Sequence, residues 1–198
     1  IVDPHKWLNA PVGVAATFVR DRAILQRAFT QGPADYLEGA FVSHDDLEVS
    51  VDGLGIPYAD FGVELSATSR GVQVWALLCE RGREGITARV REDNDFARYV
   101  AGRARNDPRL ESLTEPDLSI ACVRYVAADG WDLNDLNSRI HRRIVRETPY
   151  LPSTTMVNGQ LAIRPCFINP RTTWAMVEGF MEELLRLGEE EALSAPAG

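Results

Sequence analysis

The stretch Asp3-Pro4-His5-Lys6-Trp7 holds side chains that could carry out covalent chemistry. Lys6 is the only lysine in the 198 residues, and every other basic residue is arginine. A guanidinium stays charged at accessible pH, whereas a lysine amine in a desolvated pocket can lose its proton and attack a carbonyl. Lys6 is therefore a candidate nucleophile, and the alternative is that one lysine survived by chance.

Composition narrows the class of partner. The chain carries 29 acidic and 21 basic residues, a net charge of −8 and no clustered basic stripe, which excludes nucleic-acid binding. Neither an apolar run of about 18 residues nor a signal peptide is visible, so we expect a cytoplasmic protein outside the membrane. The isolated histidines predict no metal site, and Cys79, Cys122 and Cys166, on apolar stretches, are predicted to be buried free thiols. A small-molecule partner is favoured.

A predicted strand and a predicted helix follow Lys6, and a long irregular stretch comes after them. The apolar run 12–19 predicts a strand buried on both faces, and residues 20–29 predict a helix with Ile24, Leu25 and Ala28 on one side. Residues 30–67 lack periodicity, which is more typical of a functional loop or lid than of a passive connector.

Regular patterns return at Arg70 and predict a second domain. A long helix pair, divided at Gly82 or Gly85, leads into a strand over 118–127, a helix from Leu133, a hairpin over 154–168 and a helix over 172–188. Asn158-Gly159 predicts the tight turn of the hairpin, and the acidic residues after 188 are expected to fray. We therefore expect one unit over residues 1–72 and a small α+β domain over 73–198. Trp7 and Trp75 are predicted core residues.

Four motifs in this order carry a resemblance. "DPHKWL", "DYLEG", "GVELSATSRGVQVW" and "LAIRPCFINP" together resemble the C-terminal half of the pyridoxal-phosphate-dependent group II amino acid decarboxylases, which include the aromatic L-amino acid, histidine and glutamate enzymes. The resemblance implies an α/β protein of fold type I, with 1–72 as the end of the large mixed-sheet cofactor domain. It also implies pyridoxal 5'-phosphate as cofactor, an amino acid substrate, a homodimer and an N-terminal half of the same protein that precedes Ile1.

The resemblance assigns roles to the residues near the lysine. Lys6 matches the lysine that forms a Schiff base with the cofactor, and His5 matches a histidine that contacts the cofactor or its phosphate; packing of a strand end is the alternative for His5. Asp3 stands where asparagine is common in the aromatic enzymes, and we expect it to orient neighbouring backbone. Tyr36 resembles the loop tyrosine that protonates the substrate Cα, with simple packing in a closed lid as the alternative.

Arg164, Ser66 and the type of reaction each have an alternative interpretation. Arg164 matches an arginine that contacts the substrate carboxylate, or it forms a structural salt bridge. Ser66 lies where a residue can reach the partner subunit's cofactor phosphate, or it caps the helix that follows. Decarboxylation, with aromatic amino acids as first choice of substrate, is the expected activity; an aldehyde synthase of the same family and an inert decarboxylase-like chain are the alternatives.

Overall fold

The computed structural model describes residues 2–29, 58–127 and 130–194. It contains four α-helices, which are α1 (Arg22–Phe29), α2 (Arg70–Asn106), α3 (Leu133–Glu147) and α4 (Trp174–Leu193). A short 3-10 helix covers Tyr58–Phe61. Four strands are present in the described ranges, β1 (Leu110–Ser112), β2 (Val123–Tyr125), β3 (Ser153–Val157) and β4 (Gln160–Arg164).

The four strands form one antiparallel sheet in the order β1-β2-β4-β3. Strands β3 and β4 make the predicted hairpin, because Asn158 and Gly159 both adopt positive φ, 50° and 79°. Positive φ at both central residues gives the turn the twist that two paired strands need. The predicted hairpin is thus confirmed, and its second strand ends at Arg164.

The main hydrophobic core lies between this sheet and helices α2, α3 and α4. Phe96, Val100, Ile140, Ile163 and Leu184 are fully buried in it. Every buried residue of this cluster falls between residues 96 and 187. The small α+β unit predicted for the C-terminal part of the chain therefore has its own core.

Side-chain amides of α3 complete the hydrogen bonding of the sheet. Asn137 is fully buried; its Oδ1 accepts from the Tyr125 amide at 2.7 Å, and its Nδ2 donates to the Tyr125 carbonyl at 2.9 Å. Asn134 does the same for the hairpin, accepting from the Leu161 amide and donating to the Gly159 carbonyl. A buried backbone amide left without a partner is costly, so these two residues fix α3 to the sheet.

Helix α2 is kinked at Gly82, which has φ 63° and ψ 173°. That combination is accessible essentially to glycine alone, and the predicted division of the helix at Gly82 is confirmed. Gly85, the other candidate, stays helical. The predicted boundary between residues 72 and 73 falls in the first turn of α2 and stays a prediction.

The strand predicted for residues 12–19 is wrong for this structure. An isolated bridge joins Val2 to Ala16, while Val12 and Phe18 are 90% and 78% exposed. A strand that is buried on both faces needs neighbours along its edges, and the described residues supply only this bridge. The strand predicted for 118–127 is confirmed only over β2, and β1 was not predicted.

Other expectations about burial also need correction. Only Cys122 is a buried thiol, whereas Cys79 and Cys166 are exposed. Trp75 is 64% exposed, because the part of α2 before Asp93 buries no residue against the described chain. Helix α4 continues to Leu193, since Glu190 and Glu191 form ion pairs with Arg143 and Arg139 of α3. Within the described ranges, no helix has the length and apolar character needed to cross a bilayer.

Candidate active site

Lys6 stands in a loop that is closed by paired backbone hydrogen bonds. The amides of Val2 and Ala16 each donate to the other residue's carbonyl at 2.8 Å, which brings the two ends of the loop together. Within it, the Lys6 amide donates to the Asp3 carbonyl, and the Asn9 amide donates to the Lys6 carbonyl. Asn9 takes the left-handed conformation, φ 55°, that lets the chain turn here.

The Lys6 amine forms an ion pair with the Asp3 carboxylate, with Nζ and Oδ2 2.7 Å apart. This hydrogen bond from Lys6 lowers the pKa of Asp3 below its usual value. The Lys6 side chain is 61% exposed, so the amine can be reached by a small molecule from solvent. Asp3 was expected to orient backbone; its side chain holds the lysine amine instead.

The imidazole of His5 is fixed by the same loop. Its Nδ1 lies 3.0 Å from the Val14 carbonyl oxygen, and since a carbonyl only accepts, Nδ1 carries the proton. The ring is half-buried and its Nε2 is the nitrogen that remains for a further partner. This position agrees with either expectation for His5, because the ring both packs on the loop and presents one free nitrogen.

Ser66 lies on a loop that precedes α2. A bidentate pair between Arg70 and Glu64, at 2.7 and 3.0 Å, closes this loop, and the Ser66 side chain is exposed on it. Ser69, rather than Ser66, occupies the N-cap position of α2, and its side chain makes no capping hydrogen bond. The cap alternative for Ser66 is therefore wrong. No hydrogen bond among the described residues joins Ser66 to Lys6, His5 or Arg164.

Arg164 is the last residue of β4, and its Nη1 donates to the Ser153 hydroxyl at 3.2 Å. Among the residues that the structure describes, it pairs with no carboxylate, so the salt-bridge alternative finds no support there. Cys166 follows two residues later. Although Cys166 is exposed, partial desolvation of its sulfur raises the pKa of the thiol, while the charges of Arg164 and Lys6 lower it and that of Asp93 raises it.

Asp93, on α2, is a carboxylate with no solvent-exposed side-chain surface. Its Oδ1 lies 3.1 Å from Nη2 of Arg89, close enough for ionic attraction, yet neither Asp93 oxygen receives a well-aligned hydrogen bond from the described chain. Burial raises the pKa of Asp93 to about 6, an effect that Arg89 partly offsets and Glu92 reinforces. Sequence reasoning missed this pair, although Asp93 continues the helical spacing of Ile86, Val90 and Ala97 and so had to face inward.

Two cavities flank this region. One, of about 320 Å³, is lined by Trp7, Asn9, Arg81, Arg89 and Pro170 among others. The other, of about 370 Å³, is mainly apolar and is lined by residues that include Tyr150, Cys166 and Phe180. Both therefore adjoin residues that lie close to Lys6 or Arg164 in the fold.

The remaining expectations concern Tyr36 and metals. Tyr36 lies outside the described residues. Among those described, no group of three or more histidine, cysteine, aspartate or glutamate side chains could hold a metal ion. The structure thus brings together Lys6, His5 and Asp3 in one loop, while Arg164 lies at the end of β4 and Ser66 on a separate loop.

Comparison with known proteins places this geometry in a family. The pyridoxal-dependent decarboxylase conserved domain matches residues 1–126. The chain is 28% identical, over 198 residues, to the aromatic-L-amino-acid decarboxylase of Bacillus atrophaeus, covering 98% of this chain and 39% of that protein. The chain belongs to the pyridoxal-dependent decarboxylase family, whose cofactor is pyridoxal phosphate, and it spans about two fifths of that relative's length.

Solved structures give the fold. The TDC of Oryza sativa, solved with PLP and tryptamine, matches with a TM-score of 0.74 at 20% identity, covering 87% of this chain and 34% of that one. Mouse CSAD in its apo form matches with a TM-score of 0.74 at 19% identity, covering 94% of this chain and 38% of that one. The chain therefore has the α/β fold of the type I pyridoxal-phosphate enzymes.

The residues around Lys6 fit this cofactor. An exposed primary amine, held by a single ion pair, is the group that an aldehyde needs in order to form an imine, and the described chain offers no second lysine. The Nε2 of His5, on the residue before it, has no hydrogen-bond partner among the described residues. Lys6 and His5 are the residues of this loop that would hold the cofactor.

Proposed function

We propose that the protein that carries this chain decarboxylates an L-amino acid to its amine, with pyridoxal phosphate bound through a Schiff base to Lys6. The observation that supports it is the exposed Lys6 amine, 2.7 Å from Asp3, at the tip of a backbone-closed loop in a chain of this family. Aromatic amino acids are the first choice of substrate, because the relatives with which the chain aligns include aromatic-L-amino-acid decarboxylases.

Each residue of the site has a proposed task. When bound, the cofactor supplies a ring that accepts the electron pair left on the substrate Cα as carbon dioxide departs. Lys6 holds the cofactor and moves a proton once its amine is released; Asp3 keeps that amine oriented while it is charged. His5 contacts the cofactor through Nε2. Arg164, which pairs with no carboxylate of the described chain, orients the substrate carboxylate through its planar guanidinium.

Labelling of Lys6 tests the proposal. Borohydride reduction of the holoenzyme should attach the cofactor to the peptide that contains Lys6. Lys6→Arg keeps the positive charge and the ion pair with Asp3 but cannot form an imine. We expect it to lose the visible absorbance of the bound cofactor and the release of carbon dioxide. Label on a lysine outside this chain would contradict the proposal.

Tyr36 separates decarboxylation from the second candidate, an aldehyde synthase of the same family. We propose that its phenol delivers the proton to Cα, a step that general acid catalysis accelerates by about 10²- to 10⁴-fold. Tyr36→Phe should then lower amine formation more than carbon dioxide release, and aldehyde should appear with oxygen. Equal loss of amine and carbon dioxide would mean that Tyr36 serves only loop packing. Aldehyde as the main product of the wild type would favour the second candidate.

The proposal also concerns how two subunits share their active sites. We infer a homodimer in which Ser66 and the loop that carries Tyr36 serve the partner subunit's site, since Ser66 is exposed and has no hydrogen bond to its own Lys6, His5 or Arg164 in the described chain. Mixing Lys6→Arg with Ser66→Ala protein tests this inference. If Ser66 acts across subunits, hybrid dimers should hold one site in which both residues are intact. Activity that does not change on mixing would contradict it.

A further inference from the structure

Arg89 joins three segments of the chain. It lies on α2, and its Nη1 donates to the Pro170 carbonyl at 3.2 Å, while its Nη2 donates to the Asn169 carbonyl. The same guanidinium stands 3.1 Å from the buried Asp93 carboxylate. Arg89 and Pro170 also line the 320 Å³ cavity together with Trp7, the neighbour of Lys6. One side chain of the helix thus binds the segment after β4 and shares a cavity with the loop of the lysine.

The segment that Arg89 holds carries the residues next to the site. It begins after Arg164 and is anchored at its start, where the Ala121 amide donates to the Pro165 carbonyl and the Phe167 amide donates to the Ser119 carbonyl. Beyond Phe167, the bonds from Arg89 are the contacts in the described chain that tie residues 169 and 170 to α2. The Arg89 side chain is only 18% exposed, although the two carbonyls that it binds lie at the surface.

The arrangement is more specific than an ion pair requires. A guanidinium can bind two acceptors in fixed directions, whereas a lysine ammonium is a point charge on a flexible stem. Neutralising Asp93 would need only the charge; holding two successive carbonyls needs the planar fork. Arg89 donates to the two carbonyls and is poorly aligned with the Asp93 carboxylate. Its orientation therefore suits binding of the segment better than neutralisation of Asp93.

We propose that Arg89 is a positioning residue for the reaction: by holding the Asn169 and Pro170 carbonyls against α2, it fixes the segment that follows Arg164 and carries Cys166, at the cavity that Trp7 of the Lys6 loop also lines. The proposal rests on the decarboxylation proposed above, in which Arg164 orients the substrate carboxylate. A small misplacement of an orienting group is costly in catalysis, since about 1 Å can lower the rate 10²-fold. Arg89 acts through Arg164 and does not touch the substrate.

The experiment compares Arg89→Met, Arg89→Lys and Arg98→Met in the full-length, cofactor-loaded protein. Arg98 forms an exposed ion pair with Asp95 on the same helix and serves as the matched control. We expect Arg89→Met to raise KM for the amino acid about 10-fold, with a smaller change in kcat. Inhibition by the product amine, which has no carboxylate, should stay within about twofold. Arg89→Lys should lie between wild type and Arg89→Met, and Arg98→Met should match wild type.

A second readout does not depend on activity. In a Cys79→Ser background, iodoacetamide should alkylate Cys166 several-fold faster in Arg89→Met than in wild type, because the segment is no longer held. This comparison remains valid if the wild type proves to have no decarboxylase activity, so failure of the proposed function and failure of the positioning role give different results. Identical alkylation rates would overturn the positioning role.

The double variant Arg89→Met/Asp93→Asn separates positioning from stability. Arg89→Met alone leaves the buried Asp93 charge unpaired, which is itself destabilising. Replacing Asp93 by asparagine removes that charge, so the double variant should regain thermal stability. We expect it to keep the raised KM and the fast alkylation of Cys166. If both return to wild-type values, Arg89 serves only to neutralise Asp93 and the proposal is wrong.

Discussion

Asp93 is the residue whose environment departs most from that of its type in solution. The Asp93 carboxylate has no exposed surface and receives no well-aligned hydrogen bond from the described residues. The free-energy cost of its desolvation is therefore offset only weakly. Its charged neighbours are Arg89 and Glu92 on α2, with the Cys166 thiol across from it on the segment after β4. These contributions together raise the pKa of Asp93 to about 6, so the carboxylate takes up a proton more readily than in solution but is still ionised at neutral pH.

The stability of the fold should therefore depend on pH through Asp93. Because the folded chain binds this proton more tightly than the unfolded chain does, the contribution is fully present below about pH 4 and is lost as pH rises through about 6. Asp93→Asn cannot ionise, so its free energy of unfolding relative to wild type should increase between pH 5 and pH 8. The increase between pH 5 and pH 8 should be about 1.4 kcal/mol, roughly half of the full effect of about 3 kcal/mol, since one unit of pKa corresponds to about 1.4 kcal/mol and the other half is already lost below pH 5.

Urea unfolding at pH 5 and pH 8 measures this difference. Asp95→Asn, on the exposed side of the same helix, is the control and should show no comparable increase. If Asp93→Asn is destabilising by a larger amount at pH 8 than at pH 5, Arg89 lowers the pKa of Asp93 in the fold, contrary to the prediction of a raised pKa.

At the site, single residues were predictable where their chemical type was unusual, and not where a contact decides their role. Lys6 stood out because it is the only lysine, although its amine is exposed and paired with Asp3 in the described chain and does not lie in the desolvated pocket that the sequence suggested. The ion pair with Asp3 depends on a turn that places Nζ and Oδ2 2.7 Å apart, which the sequence does not specify. The bonds from Arg89 to two carbonyls 80 residues away could not be found from spacing at all.

Elements were predictable where local rules decide them. Helix α3, the β3–β4 hairpin and the kink of α2 follow from apolar spacing, from Asn158-Gly159 and from Gly82. The strand predicted for 12–19 failed because its burial depends on neighbours rather than on its own residues. The end of α4 was missed because Arg139 and Arg143 on another helix pair with its glutamates, an interaction between distant parts of the sequence.

The kink in α2 gives a prediction at this scale. An alanine Cβ at Gly82 would meet no atom within 4 Å, so Gly82→Ala isolates the cost of positive φ, about 1 to 3 kcal/mol of stability. Gly85→Ala, three residues later in regular helix, meets only the Arg81 Cβ at 3.7 Å and should stabilise the chain by up to about 1 kcal/mol. Urea unfolding of both variants tests the pair; equal effects would mean that the helix straightens at Gly82.

Across the whole molecule, the described residues divide sharply by burial. Among the described residues from 2 to 78, Pro4, Ala10 and Val14 are buried, while eleven large hydrophobic side chains are exposed; these include Val12, Phe18 and Trp75. Apolar surface of this extent costs free energy in water unless a further surface covers it. The core, in contrast, is confined to residues 96–187. The two parts of the chain therefore differ in whether they can fold alone.

This difference predicts that residues 73–198 fold by themselves and that residues 1–72 do not. The C-terminal fragment keeps the full core cluster, the four-stranded sheet and the amides of Asn134 and Asn137 that fix α3 to it. Its thermal unfolding, followed by circular dichroism and calorimetry, should be one cooperative transition with an enthalpy of about 0.7 kcal/mol per residue near 60 °C. The fragment 1–72 should show no such transition, since its described residues bury too little apolar surface to offset the entropy of ordering the backbone. Non-cooperative melting of 73–198 would mean that its core needs the first part of the chain, and that the boundary at residue 72 does not separate two units.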